Sequence, residues 1–333
     1  MDKLMFQNNR KLDVIAIGRI GVDFNPNELN RPLEETISFT RTVGGSPANI
    51  AVATSRYGMN TGFIGKIADD AFGRYITNYF NENRIDINGL TVDKNDNKTG
   101  LAFVEIKSTS ESNVIMYRSD AVDLKLEMED ISEEYIKNAK ALVISGTALA
   151  ESPSREAVFI ALKYARKHNT VTFFDVDYRP YTWNSMDETS LYCSMAAELC
   201  DVIIGTREEF DVLEGIDLSG NKDDQVSAKF WLGHNAKLVI VKRGKDGSTA
   251  YLKDGTVEVG AVFPVTPLKT QGAGDSFAGG VISSLIKGKD VVAAMRYGAG
   301  AAAIVVQENS CSEAMPTEAQ ITEFIKNYKD AEV

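Results

Sequence analysis

Leu268-Lys-Thr-Gln-Gly-Ala-Gly-Asp-Ser-Phe-Ala-Gly-Gly280 runs directly into the apolar helical pattern of residues 281–286. Small residues just before a helix let backbone amides converge on an anion, with the positive end of the helix dipole behind them. Asp275 then falls in the first turn, within reach of a hydroxyl that attacks the bound group. A carboxylate there also serves as a plain helix cap, and spacing alone leaves both roles open. A second cluster, Val43-Gly-Gly-Ser-Pro-Ala-Asn49, opens another helix, read over residues 47–57 with proline in its first turn and Gly58 at its end. Gly44 and Gly45 permit close approach of backbone to a ligand, and Asn49 offers a donor and an acceptor to hydroxyls. A tight turn before a helix asks for the same residues.

Outward from these clusters the chain alternates short β-branched runs with amphipathic stretches. Strands are read at 13–18, 61–67, 140–145, 171–175, 201–205 and 237–242. Between them lie helical patterns such as 154–168, where Val158, Ala161, Leu162 and Ala165 share a face. This order predicts one α/β domain over residues 1–333, a mostly parallel sheet with helices on both faces. Segments 34–43 and 99–118 instead alternate apolar and polar residues with no helix between. They predict a small antiparallel sheet over about 19–43 and 99–120, either a flap that closes on a ligand or an ordinary exposed hairpin.

Bulk properties narrow the class. Hydrophobic residues make up 44% of the 333 and charged residues 25%, as in an ordinary folded protein. No run reaches membrane-span length, and residues 1–10 carry no apolar signal core, so a cytoplasmic location is expected. A net charge of −11 disfavours nucleic acid and anionic membranes as partners. Cys193, Cys200 and Cys311 form no CxxC pair, and His168 and His234 are too few for a histidine-rich metal site. Two further glycine clusters carry less. Gly298-Ala-Gly-Ala-Ala-Ala303 fits a dinucleotide pattern but follows a helical stretch, so close helix packing explains it better. Gly215-Ile-Asp-Leu-Ser-Gly-Asn-Lys222 misses a P-loop, because Asn221 stands where lysine is needed.

Gly44-Gly-Ser-Pro-Ala-Asn49 and Thr270-Gln-Gly-Ala-Gly-Asp275, in that order and separation, resemble the GGxxxN and TxGAGD motifs of the ribokinase-like (PfkB) carbohydrate kinases. The likeness extends over nearly the whole chain, including Gly18-Arg-Ile-Gly-Val-Asp23 and Lys242-Arg-Gly-Lys-Asp-Gly247. It implies a doubly wound sheet with a small β lid, and phosphoryl transfer from ATP with Mg²⁺. It further implies that Asp275 takes the proton of a sugar hydroxyl, with the amides of Gly272, Ala273 and Gly274 as the anion hole. Asp23, Gly45 and Asn49 match positions that hold sugar hydroxyls. Arg118 and Arg179 match substrate-contacting arginines suited to a carboxylate, with Tyr117 beside them. Lys242 and Gly244 match the nucleotide-lining segment, and Glu209 matches the glutamate of an NxxE motif that orders Mg²⁺ through water.

Two departures stand out. Thr206 replaces the asparagine of NxxE, and Lys269 replaces an aspartate that helps potassium-activated members bind K⁺. The second implies that an ammonium group substitutes for K⁺, so that K⁺ is not required. Asn30-Arg-Pro-Leu-Glu-Glu-Thr36, Ser145-Gly-Thr-Ala-Leu-Ala150, Asp177-Tyr-Arg-Pro-Tyr-Thr-Trp183 and Ser312-Glu-Ala-Met-Pro-Thr317 look like the branch acting on keto-deoxy sugar acids. That resemblance implies phosphorylation of a terminal hydroxyl, of 2-deoxy-5-keto-gluconate foremost, with 2-keto-3-deoxygluconate or another sugar as the alternative. Lids in the family pair between subunits, which implies a homodimer. A non-catalytic sugar or nucleotide sensor is the reading from another class, kept open by Thr206 and Lys269. A nicotinamide-dependent oxidoreductase rests only on residues 298–303.

Overall fold

Strands read from continuous apolar runs form the centre of the computed structural model, which describes residues 4–107 and 112–328. In chain order the elements are β1 (Leu12–Ile17), β2 (Gly21–Pro26), β3 (Phe39–Gly44), α1 (Ser46–Arg56), β4 (Thr61–Ile67), α2 (Ala71–Glu82), β5 (Asp86–Val92), β6 (Leu101–Ile106), β7 (Ser112–Tyr117), α3 (Glu133–Lys137), β8 (Ala139–Ser145), α4 (Ser154–Lys167) and β9 (Val171–Asp175). There follow α5 (Met186–Ala197), β10 (Val202–Thr206), α6 (Arg207–Leu213), α7 (Asp224–Gly233), β11 (Leu238–Lys242), β12 (Ser248–Leu252), β13 (Val257–Gly260), α8 (Ala273–Ile286), α9 (Val291–Val305) and α10 (Glu318–Asn327).

The main sheet has the order β13-β12-β11-β10-β9-β8-β1-β4-β5. It is parallel from β11 to β5 and antiparallel at β12 and β13. The chain leaves β1 toward β4 and β5, then returns to β8 and proceeds the other way. Strand order therefore reverses between β1 and β8, and a crevice opens beyond their carboxyl ends. Both faces of the sheet are buried. Phe173 and Phe174, neighbours on β9, point into different cores, the first shared with α1, α8 and α9, the second with α4, α5 and α7. Neither exposes any surface, and each contributes roughly 1.5–3 kcal/mol of transfer free energy by its burial.

Residues 298–303 lie inside α9. A Cβ at Gly280 of α8 would stand 2.6 Å from the Gly298 Cα, so these glycines set the approach of two helices rather than a cofactor loop. A separate four-stranded sheet, β3-β2-β6-β7, is assembled from two distant segments. Of the alternating stretch 34–43 only the second half is strand. Leu33–Glu35 is a 3-10 turn that starts after Pro32, and the Leu33 amide donates to Glu105 Oε1 at 2.8 Å. Register places Asp23, Ala102 and Met116 side by side on one face of this sheet, and Val22, Leu101 and Tyr117 on the other.

Candidate active site

Every strand from β1 through β8 to β11 delivers a polar residue at its carboxyl end. Arg19 and Asp23 follow β1, Ser145 ends β8, Asp175 ends β9 with Asp177 and Arg179 beyond it, Thr206 ends β10 and Lys242 ends β11. Helices α1 and α8 bring their amino ends to the same place. Gly272 caps α8 at φ +85°, a left-handed conformation costly for a side chain, and a Cβ there would lie 3.1 Å from Cys311 Sγ. The Lys242 Nζ stands 3.4 Å from where a Gly274 Cβ would be. An ammonium and the amides of a helix start thus converge on one small volume, the arrangement that holds a phosphoryl group.

Asp275 sits beside this volume in the first turn of α8. Its Oδ2 accepts a 2.7 Å hydrogen bond from Asn49 Nδ2, and both side chains are buried. Asn49 Oδ1 is also buried and has no partner among the described residues. A buried carbonyl left without a donor asks for a hydroxyl from outside the chain. Burial raises the Asp275 pKa, and the Asp177 charge adds to the rise; the Asn49 bond and Arg179 oppose it. Asp175 is raised for the same first reason, with Lys242 opposing. Its two oxygens take Ser46 Oγ at 3.2 Å and Lys242 Nζ at 3.3 Å. Burial works to lower the Lys242 pKa, but Asp175 and Glu209 outweigh it and the lysine stays charged.

Glu209 and Thr206 form a reciprocal cap on α6. Glu209 Oε2 accepts from the Thr206 amide at 2.7 Å, Thr206 Oγ1 accepts from the Glu209 amide at 3.2 Å, and Oε1 takes the Tyr178 amide at 3.3 Å. The threonine that departs from NxxE is therefore a helix cap that orients the glutamate. Among the described residues no group of three or more acids, histidines or cysteines is arranged to hold a metal unaided. A Mg²⁺ ion would come in with the nucleotide phosphates, and Glu209, 3.7 Å from Lys242, would face its water shell.

On the side of the small sheet, the Asp23 carboxylate lies flat on Gly44, over the position any Cβ there would take. Gly45, at φ +106°, packs on the Arg19 carbonyl, 2.5 Å from where its Cβ would be. Arg179 Nη2 pairs with Asp177 Oδ1 at 2.8 Å, while Asp177 Oδ2 accepts from Ser145 and Thr147. Arg118 is buried and gives Nε and Nη2 to Asp123 Oδ2 at 2.9 and 2.6 Å; its Nη1 is buried without a partner among the described residues. Lys269 is also buried. Its Nζ donates to the Gln271 carbonyl at 3.3 Å and to Cys311 Sγ at 3.1 Å. Gln271 in turn donates Nε2 to Ser112 Oγ of β7 at 2.7 Å, tying the α8 loop to the small sheet.

Two expected residues are exposed. Tyr117 is 64% exposed and faces away from Asp23, because strand alternation turns Met116, not its neighbour, to the inner face. Gly244 lies on an exposed turn with nothing near its Cβ position, at φ +55°. Sequence reasoning missed Ser46, Asp175, Asp177 and Arg19. A polar residue directly after an apolar run at a strand's carboxyl end was the available signal for all but Ser46.

The model of the pfkB family carbohydrate kinases matches residues 11–318. The chain is 55% identical over 330 residues to a protein of Geobacillus kaustophilus named 5-dehydro-2-deoxygluconokinase, covering 99% of this chain and 98% of that one. Among solved structures, a PfkB protein from Polaromonas superposes with a TM-score of 0.82 at 28% identity, over 93% of this chain and 99% of that one. A fructokinase from Xylella fastidiosa, solved with bound ATP, superposes with a TM-score of 0.81 at 24% identity, over 94% and 98%.

Proposed function

The chain belongs to the pfkB family of carbohydrate kinases, and from that premise we propose that it phosphorylates the terminal hydroxyl of 2-deoxy-5-keto-gluconate with ATP. The observation that carries the reading is the Asn49–Asp275 pair at the meeting of two helix starts, with Asn49 Oδ1 left open for a hydroxyl. Asp275 takes the proton of the attacking hydroxyl, and its raised pKa makes it a stronger base than a free aspartate. Asn49 fixes that carboxylate and orients the hydroxyl. The amides of Gly272, Ala273 and Gly274, with Lys242, receive the charge of the transferring group. Mg²⁺, when bound, neutralises phosphate charge, with Glu209 directed to its water.

Asp23 and Gly45 hold the sugar hydroxyls, and Arg118 and Arg179, each paired with an aspartate, shape the sugar end of the site. Gly244 lines the nucleotide from its exposed turn. The small sheet acts as a lid. Its outer face exposes Ile115 and Tyr117, which fits pairing with a second copy. A monomer in sedimentation at working concentration would remove that part of the reading. Lys269 takes over the work of K⁺, bonding a loop carbonyl that a cation would otherwise hold.

Coupled ADP release tests the whole, with 2-deoxy-5-keto-gluconate, 2-keto-3-deoxygluconate, ribose and fructose as acceptors. Turnover strongest on the first, and reduced by about 10²–10⁴ in Asp275→Asn, is the expected result. Preference for another sugar overturns the substrate, and no turnover on any favours the sensor.

A further inference from the structure

Three arginines meet the sugar end of the site, and they are not equally engaged. Arg118 is held by Asp123 and by the Thr147 carbonyl at 3.0 Å. Arg179 is held by Asp177. Arg19 has no carboxylate within salt-bridge range among the described residues; the contact of its guanidinium is Nη2 to Met116 Sδ at 3.4 Å. A thioether is a weak acceptor and leaves nearly the whole fork available.

Position makes this availability meaningful. Arg19 lies on the turn between β1 and β2, at the topological switch, and its carbonyl and Cγ pack where a Gly45 Cβ would stand. Met116 shares the inner face of the small sheet with Asp23. Burial works to lower the Arg19 pKa, but the surroundings, with the carboxylates of Asp23, Asp123 and Asp177 among them, outweigh it. Asp123 and Asp177 already hold one arginine each, and Asp23 lies beyond salt-bridge range of Arg19, so among the described residues Arg19 is the one of the three whose fork no carboxylate takes up. Its planar fork matches a carboxylate with two parallel hydrogen bonds.

We propose that Arg19 is the specificity-determining residue that grips the substrate carboxylate, while Arg118 and Arg179 are committed to Asp123 and Asp177. The assignment rests on the keto-deoxy acid reading above. On this account selection for an acid is made from the turn after β1, and not by the arginines that the family resemblance singled out.

The test compares 2-deoxy-5-keto-gluconate with the same sugar bearing a hydroxymethyl group in place of its carboxylate. In Arg19→Gln the ratio of kcat/KM for the acid over the neutral sugar should fall about 10²-fold, through KM of the acid rather than kcat. Arg19→Lys, which keeps the charge and loses the fork, should give an intermediate ratio. An ATP-induced rise in Tm for each variant reports that the fold and the nucleotide site are intact. A ratio within threefold of wild type in Arg19→Gln overturns the assignment. If only the lysine variant folds, a ratio equal to wild type in Arg19→Lys overturns it as well. A wild type with no preference for the acid instead overturns the substrate reading itself, and is seen before any variant is made.

Discussion

Gly44→Ala puts the geometry of the sugar site to a direct test. The new methyl group would fall on Oδ1, Cγ and Oδ2 of Asp23 together, in a place where the carboxylate now lies against bare backbone. Real Cβ atoms essentially never approach a neighbour within 3.0 Å, so the carboxylate must retreat by about an ångström. Gly44 pairs with Gly21 and Asp23 with Thr42 in the same β2–β3 ladder, which hinders escape by a backbone shift. A misplacement of about 1 Å in a group that positions substrate costs about 10²-fold in rate, and overpacking costs about 1–3 kcal/mol of stability. Steady-state kinetics should show kcat/KM for the sugar down by about 10²-fold, with ATP affinity measured without sugar little changed. Thermal melts of wild type, Gly44→Ala, Asp23→Ala and the double variant complete the experiment. If the clash is real, removing the carboxylate relieves it, and the pair couples by about 1 kcal/mol or more. Additive melting temperatures, or sugar kinetics within threefold of wild type, would refute the reasoning.

Further outcomes follow from the same contacts. The acid limb of the kcat/KM profile should lie above the ordinary aspartate pKa of 3.8, since burial raises that of Asp275 and only its ionised form accepts a proton. The Asn49 hydrogen bond opposes the rise, so Asn49→Ala should move the limb to higher pH; a limb that stays or moves down contradicts this role. Wild type should be indifferent to replacement of Na⁺ by K⁺, and Lys269→Asp should acquire dependence on K⁺ in the same assay. Strong K⁺ activation of wild type would end the view that its ammonium serves in place of the ion.

Much of the architecture was legible because buried parallel strands cannot hide. The runs at 61–67 and 171–175 are apolar on both faces, and the structure ends β4 and β9 at those residues. The meeting of Asp275 and Asn49 was legible in part through the small residues that open both helices. Tyr117 was misread because adjacency to Arg118 says nothing about which way a strand turns its side chains; the register with Ala102 decides that. Asp175 and Asp177 went unassigned because a carboxylate after a strand looks like any loop acid until Lys242, Ser46, Ser145 and Thr147 are seen around it. Arg19 hid for a simpler reason. What distinguishes it is a partner that other arginines have and it lacks, and a missing contact leaves no mark on a sequence.

The hydrogen bond from Gln271 to Ser112 joins the loop before α8 to a strand of the small sheet. Any displacement of that strand must break the bond or drag the loop along. The position of the small sheet and the shape of the α8 start are then mechanically joined, so that strain entering at either end is felt at the other.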